Sequence, residues 1–175
     1  MSAAYEEIIE GETLLRQPPE TRHEEICARL HAGVAESILG GTTNRRLGAR
    51  SIVQFSAGTF LRPDLTLLTT DDNKPWLVAE VLSPRDHRPD TVLKKEFYER
   101  LRVPRLWMID PRYDNIEVYH GSPYGLALRG ILAQRDILTD KLIPSLQLSV
   151  AALFGIPHPD KALARSKDRG TFLRE

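Results

Sequence analysis

A glutamate stands inside an apolar run in the middle of the chain. Residues Trp76 to Leu82 form an almost continuous hydrophobic segment of strand length, which is typical of a strand covered on both faces of a sheet. Side-chain alternation places Glu80 on the same face as Val78 and Leu82. Because burying an ionised carboxylate without a partner is costly, Glu80 needs a cation, a basic side chain or a raised pKa. The simpler alternative is a glutamate at a strand end that reaches water or an arginine.

An aspartate lies sixteen residues earlier, in the segment Arg62-Pro63-Asp64-Leu65 at the start of another predicted strand. Pro63 lacks a backbone donor and is tolerated near a strand start or edge, so Asp64 is expected near the rim of the sheet. Pro-Asp alone is a common turn pair. With a buried glutamate on the adjacent strand, however, it forms a candidate site for Mg²⁺, which prefers oxygen ligands.

A helix predicted over residues 90 to 101 offers a lysine to these carboxylates. At about 100° per residue, Leu93, Phe97 and Leu101 define a core-facing stripe. A second stripe lies beside it, and its members are Asp90, Lys94 and Tyr98. Lys95 points away, so Lys94 is the lysine expected to face the sheet. The alternative for Lys94 is a surface ion pair with Asp90.

An earlier helix is predicted from about residue 22 to residue 39, before Gly40-Gly41. Thr21 and Glu24 fit a capping box, which assigns Glu24 to the helix start. His23 falls near the buried face, either as a hydrogen-bonded core residue or as part of the pocket that holds the carboxylates. Cys27 and His31 have helical metal-ligand spacing, but two such residues without further partners do not predict a metal site.

The remaining elements complete an α/β domain with a mixed central sheet, over residues 1–157. Residues 158–175 form a polar segment that we expect to be a flexible tail. Beside the elements already described, the pattern predicts a hairpin arm over residues 8–17, strands over 50–55 and 60–68 joined at Ser56-Ala57-Gly58, strands over 106–109 and 115–119, and a short helix near 149–154.

The charges cancel over the 175 residues, with 24 Lys and Arg against 24 Asp and Glu. Neutrality argues against a strongly basic nucleic-acid binder, but the charges are unevenly distributed. The first 21 residues carry five glutamates and one arginine, so this arm is not expected to contact a polyanion. Two later stretches, 22–62 and 85–105, are net basic. Loop arginines in and beside them are candidate phosphate contacts: Arg45, Arg46, Arg85 and Arg88.

The cellular location expected from the sequence is the cytoplasm. No apolar stretch is long enough to span a membrane, and the acidic beginning of the chain does not resemble a signal peptide. Cys27 is the single cysteine, which excludes an internal disulfide and a multi-cysteine zinc site.

Four segments together resemble the bacterial Uma-two family of restriction-endonuclease-like proteins, in the PD-(D/E)XK nuclease superfamily. The resemblance covers roughly residues 11 to 154, and it implies a restriction-endonuclease-like core of helix, three strands, helix and strand with extra peripheral strands. The segments are Arg62-Pro63-Asp64, Ala79-Glu80-Val81-Leu82-Ser83-Pro84, Asp90 through Lys94 to Tyr98, and Trp107-Met108-Ile109-Asp110-Pro111.

The resemblance also implies roles for individual residues. Asp64, Glu80 and the Val81 carbonyl would bind Mg²⁺, or Mn²⁺ in its place. The superfamily places a lysine two positions after the glutamate, where this chain has Leu82. The resemblance implies that this lysine has migrated to Lys94, so that the catalytic set is Asp64, Glu80 and Lys94. His23, Tyr98 and Asp90 would line the pocket or support the ligands.

We therefore expect a metal-dependent endonuclease that cleaves DNA, with a homodimer as the simplest way to cut both strands. Leu82 in the usual lysine position keeps a second hypothesis open, namely a catalytically silent nucleic-acid-binding or assembly protein with this fold. A third hypothesis, a Mg²⁺-dependent hydrolase of small phosphate esters, has less support.

Overall fold

The computed structural model describes residues 3–39, 44–83 and 89–157. These residues form twelve strands and three α-helices, and a π-helical turn, Pro89–Lys94, directly precedes the second helix. The helices are α1 (Thr21–Ser37), α2 (Lys95–Arg100) and α3 (Val150–Phe154). The strands are β1 (Tyr5–Ile9), β2 (Glu12–Arg16), β3 (Asn44–Arg46), β4 (Val53–Ser56), β5 (Thr59–Leu61), β6 (Leu65–Thr69), β7 (Pro75–Val81), β8 (Arg105–Asp110), β9 (Asn115–Ser122), β10 (Gly125–Ala133), β11 (Ile137–Asp140) and β12 (Ile143–Ser149).

A six-stranded mixed sheet forms the centre of the fold, in the order β10-β9-β8-β7-β6-β3. Strands β7 and β8 are parallel, and the other neighbouring pairs are antiparallel. A second sheet has the order β2-β1-β5-β4, and β11 pairs with β12. The α/β class with a mixed central sheet is confirmed, whereas the predicted tail lies outside the described residues.

Strand β7 is covered on both faces, as its apolar run predicts. Leu77, Ala79 and Val81 pack into one hydrophobic cluster with the buried face of α1. Val78 and Leu82 pack on the other side with Phe97 of α2. Glu80 alternates onto this second side and is therefore enclosed between the sheet and α2.

The prediction of a single strand over residues 60–68 is wrong, because the chain there forms two strands in two different sheets. Strand β5 belongs to the four-stranded sheet, β6 belongs to the central sheet, and the chain passes between them at residues 62–64. Pro63 lies at this break, where its missing backbone donor removes no ladder hydrogen bond. The predicted turn before β5 is confirmed, since Ser56 pairs with Thr59 across Ala57-Gly58 and Gly58 has φ of 75°. Asp64 consequently lies at the junction between the two sheets.

The second predicted helix is also different in detail, because it begins with a π-helical turn. A π-helical turn has more residues than an α-helical turn, so each residue turns by less than 100° about the helix axis. The side chains therefore point in other directions than the α-helical spacing predicts. Leu93, predicted to face the core, is 49% exposed, whereas Lys94 is only 1% exposed. Phe97, which follows the turn, is buried as predicted.

None of the helices in the described ranges is long and apolar enough to cross a membrane.

Candidate active site

Asp64 is held beside Val81 by the antiparallel pairing of β6 with β7, which sets Leu65 opposite Ala79. Asp64 Oδ2 accepts a hydrogen bond from the Val81 backbone N–H at 2.9 Å. Its Oδ1 accepts from His23 Nε2 at 2.9 Å and from Arg50 Nη1 at 3.0 Å. Burial acts to raise the pKa of Asp64, but the hydrogen bond and charge of His23 and the Val81 N–H outweigh it and lower the pKa to about 2. Asp64 is therefore ionised at neutral pH.

Glu80 is buried on β7 and hydrogen-bonded by two residues from the segment that follows. Lys94 Nζ donates to Oε2 at 3.0 Å, and the Tyr98 hydroxyl donates to Oε1 at 2.6 Å. Burial raises the pKa of Glu80 to about 6, and the neighbouring charge of Lys94 opposes that rise. The site thus satisfies the requirement that a buried glutamate on this strand has a basic partner.

Lys94 lies between two carboxylates, because its Nζ is also 3.2 Å from Glu7 Oε1. Burial acts to lower the pKa of Lys94, but the charges of Glu80 and Glu7 outweigh it and raise the pKa to about 12. Lys94 is therefore a cation at neutral pH, and a surface pair with Asp90 does not describe it. The side chain of Asp90 lies outside the described part of the chain.

Glu7 and Arg16 come from the amino-terminal hairpin β1-β2, and they adjoin the site although no sequence pattern indicates it. Glu7 is 1% exposed and contacts Lys94. Glu7 also lies 3.3 Å from Arg16, measured from Oε2 to Nε. The sequence carries no signal that separates Glu7 from its exposed neighbour Glu6, since both lie in the same acidic strand.

Arg50 is a second site residue that the sequence analysis does not identify. Its guanidinium donates from Nη2 to both carboxylate oxygens of Glu24, at 2.8 and 2.7 Å, and from Nη1 to Asp64. The predicted capping box is therefore wrong: α1 begins at Thr21, its N-cap is Glu20, and the Glu24 side chain binds Arg50. Both carboxylate oxygens of Glu24 thus accept charge-assisted hydrogen bonds from Arg50 Nη2.

Replacement of Arg50 by alanine is expected to lower the free energy of unfolding by about 2 to 4 kcal/mol, because Asp64 and Glu24 lose a common, mostly buried cation. Chemical denaturation would measure the change. Arg22→Ala is the matched control, since Arg22 forms an exposed pair with Asp114 and such pairs contribute about 1 kcal/mol or less. Equal effects of the two substitutions would contradict a structural role for the Arg50 bridge.

His31 and Cys27 both contact the backbone carbonyl of Asp64. His31 Nε2 donates to the Asp64 carbonyl at 2.6 Å, and Cys27 Sγ lies 3.7 Å from the same oxygen. Burial lowers the pKa of His31, so its Nδ1 can accept from Arg46 Nη1, which contacts it. These contacts connect α1 and β3 to the residue that directly precedes β6.

The predicted phosphate contacts have different environments. Arg46 is hydrogen-bonded to His31, as described above, which gives its guanidinium a structural partner. Arg45 is exposed on β3, at the edge of the central sheet, and donates from Nη2 to Asn73 at 2.8 Å. Arg85 and Arg88 lie outside the described residues. A role for these four arginines in binding phosphates remains a prediction.

A narrow cleft of about 10 Å³, room for about one water molecule, is lined by Asp64, Glu80 and Val81 together with His23 and Tyr5. In the part of the chain that the structure describes, no three His, Cys, Asp or Glu side chains form a preassembled metal cluster. The donor chemistry nevertheless fits Mg²⁺, which binds through one or two carboxylates and keeps several waters. Asp64 accepts three hydrogen bonds and Glu80 two. A carboxylate has about four lone-pair sites, so both retain acceptor capacity.

Comparison with known proteins places this geometry in context. A crystal structure described as that of "a putative nuclease belonging to DUF820", from Anabaena variabilis, matches with a TM-score of 0.70 at 17% identity and covers 86% of this chain and 90% of that chain. At that identity the likeness shows a common fold. No curated protein matches the chain. The family model Uma2, described as "Putative restriction endonuclease", matches residues 2–151. Because that match spans most of the sequence, the chain belongs to the Uma2 family.

Proposed function

We propose that this protein is a Mg²⁺-dependent endonuclease that hydrolyses DNA phosphodiester bonds at the cleft between Asp64 and Glu80. The observation that carries the proposal is the 3.0 Å approach of Lys94 Nζ to Glu80 Oε2. In this proposal Lys94, from the following helical segment, supplies the cation that Leu82 cannot, since Leu82 is apolar and buried in the core.

Each residue has a separate part in this proposal. Asp64, Glu80 and the Val81 carbonyl would hold the ion. When bound, Mg²⁺ supplies a Lewis acid that neutralises charge on the phosphate and activates the attacking water. His23 and Arg50 hold Asp64 in place, His23 and the Val81 N–H keep it ionised, and Tyr98 fixes the orientation of the Glu80 carboxylate.

Lys94 is proposed to act by its charge. With a pKa of about 12, its ammonium keeps its protons at neutral pH and cannot serve as a general base. It can instead donate hydrogen bonds to the attacking water or to the phosphate oxygens, where negative charge develops in the transition state.

DNA as the substrate, and the contacts to it, extend the same proposal. The family description as a restriction endonuclease supports DNA, and the exposed Arg45 could contact a phosphate. Zero net charge favours modest, salt-dependent affinity confined to one face. Two copies related by a two-fold axis would present one cleft to each strand.

Conversion of supercoiled plasmid to nicked and linear forms tests the proposal. We expect the purified full chain to produce these forms with Mg²⁺ and to produce none with EDTA. A protein that binds DNA in a salt-dependent way, is indifferent to Mg²⁺ and EDTA, and forms no product would instead be the silent binding protein. Hydrolysis of mononucleotides without cleavage of plasmid or oligonucleotides would point to a small-phosphate hydrolase.

A further inference from the structure

We propose that Glu7, on the amino-terminal hairpin, is a positioning residue that holds the Lys94 ammonium in place for catalysis. This inference rests on the proposed nuclease function and assigns a role to a part of the chain outside the Asp64, Glu80 and Lys94 set. Glu7 is a carboxylate enclosed in the protein, with its Oε1 3.2 Å from Lys94 Nζ.

The hairpin is fastened to the segment that carries Asp64. Glu7 Oε1 accepts a hydrogen bond from the Arg62 backbone N–H at 2.8 Å, two residues before Asp64. The neighbouring Ile8 pairs with Phe60 of β5, the strand that leads into this segment. The Glu7 carboxylate is therefore held by the backbone segment that also positions Asp64. Glu7 can thus fix the Lys94 ammonium relative to Asp64.

A lysine that reaches the site from a helical segment needs a second acceptor to fix the position of its ammonium. Its ammonium is carried on a flexible four-carbon stem, and a single acceptor would restrict its direction only weakly. Glu80 and Glu7 hold it from two sides, at 3.0 and 3.2 Å. The pair of carboxylates thus restricts Lys94 Nζ to a small region beside the proposed metal ligand.

Charge gives Glu7 a second effect on the same site. Glu7 and Glu80 are balanced by Lys94 and Arg16, all four of them buried. A divalent cation bound at Glu80 would be repelled by the Lys94 ammonium, and the Glu7 carboxylate offsets that repulsion. Loss of the Glu7 charge should therefore weaken divalent-cation binding as well as release Lys94.

The experiment compares Glu7→Gln with Glu10→Gln in the full chain. Glu10 is the matched control, since it ties the same hairpin to α2 through an exposed pair with Arg100. We expect Glu7→Gln to lower kcat for DNA cleavage about 10- to 100-fold, with KM nearly unchanged. Calorimetric binding of Mn²⁺ to the DNA-free protein should weaken about tenfold. Glu10→Gln should change neither quantity.

A double substitution separates positioning from general support of the fold. If Glu7 acts through Lys94, then at saturating Mg²⁺ Glu7→Gln should cause no further loss of kcat when it is added to Lys94→Met. An additional loss of kcat in that background, or a change confined to KM, would overturn the inference.

Glu7→Asp provides a second variant in case Glu7→Gln does not fold. It keeps the charge but shortens the side chain by one methylene, so kcat should fall while Mn²⁺ affinity is retained. If Glu7→Gln and Glu7→Asp both cleave DNA at the wild-type rate, the positioning role of Glu7 is wrong, whereas the proposed nuclease function still stands. A wild-type protein without any cleavage activity would overturn the proposed function and this inference with it.

Discussion

Glu80→Gln is expected to lower the rate of Mg²⁺-dependent DNA cleavage by about 10³-fold or more, because it removes the charge of a proposed metal ligand, worth several kcal/mol to the transition state. The fold should tolerate the change. The glutamine oxygen can accept from Lys94, and its amide can donate to the Tyr98 hydroxyl oxygen, which accepts as well as donates. Plasmid cleavage rates and thermal unfolding of the purified variant would measure both effects.

Asp140→Asn is the control for this substitution, because Asp140 is another buried carboxylate with a basic partner. It accepts from Arg105 Nε at 3.0 Å and lies on β11, outside the cleft. Its removal should leave the cleavage rate within about twofold of wild type while reducing stability. Asp64→Asn should resemble Glu80→Gln in rate. Cleavage that survives in both cleft variants would contradict the assignment of the metal ligands.

Lys94→Met is expected to have two large effects. It removes the cation from between Glu80 and Glu7, and loss of one partner of a buried ion pair costs about 3 to 5 kcal/mol of stability. It also removes the proposed transition-state charge, which should lower kcat by about 10²- to 10³-fold. Denaturant unfolding and single-turnover cleavage would separate the two effects.

The adjacent Lys95 supplies the control for Lys94→Met. Lys95 Nζ lies 4.3 Å from the centre of the Tyr119 ring and is partly exposed. Lys95→Met should therefore cost about 1 kcal/mol or less. A folded Lys94→Met variant that cleaves DNA within about threefold of the wild-type rate would show that the ammonium has no part in the reaction.

The sequence was sufficient to predict the centre of the fold and the neighbouring positions of the two carboxylates. An apolar run of strand length is typical of a covered strand, and Glu80 within it required a partner. Strand order then placed Asp64 next to it, as the pairing of Leu65 with Ala79 confirms. These are local patterns of composition and spacing, which a single sequence displays directly.

The surroundings of the carboxylates were not predictable, because they depend on contacts between distant segments. Glu7 meets Lys94 and Arg50 meets Asp64 with no periodic signal in the intervening chain. Lys94 was selected by helical geometry, but its deep burial follows from the π-helical turn, which the 100° rule does not anticipate. No pattern in the acidic arm marks Glu7 for burial, yet this glutamate is enclosed in the protein and balances the charge of Lys94.

The most direct test of the metal site is a crystal structure of the protein with Mn²⁺, examined by anomalous scattering. We expect an anomalous peak bound by the carboxylates of Asp64 and Glu80 and the carbonyl of Val81, and loss of that peak in Glu80→Gln. A cleft without such a peak at saturating Mn²⁺, or a peak that persists unchanged in Glu80→Gln, would contradict the proposed metal site.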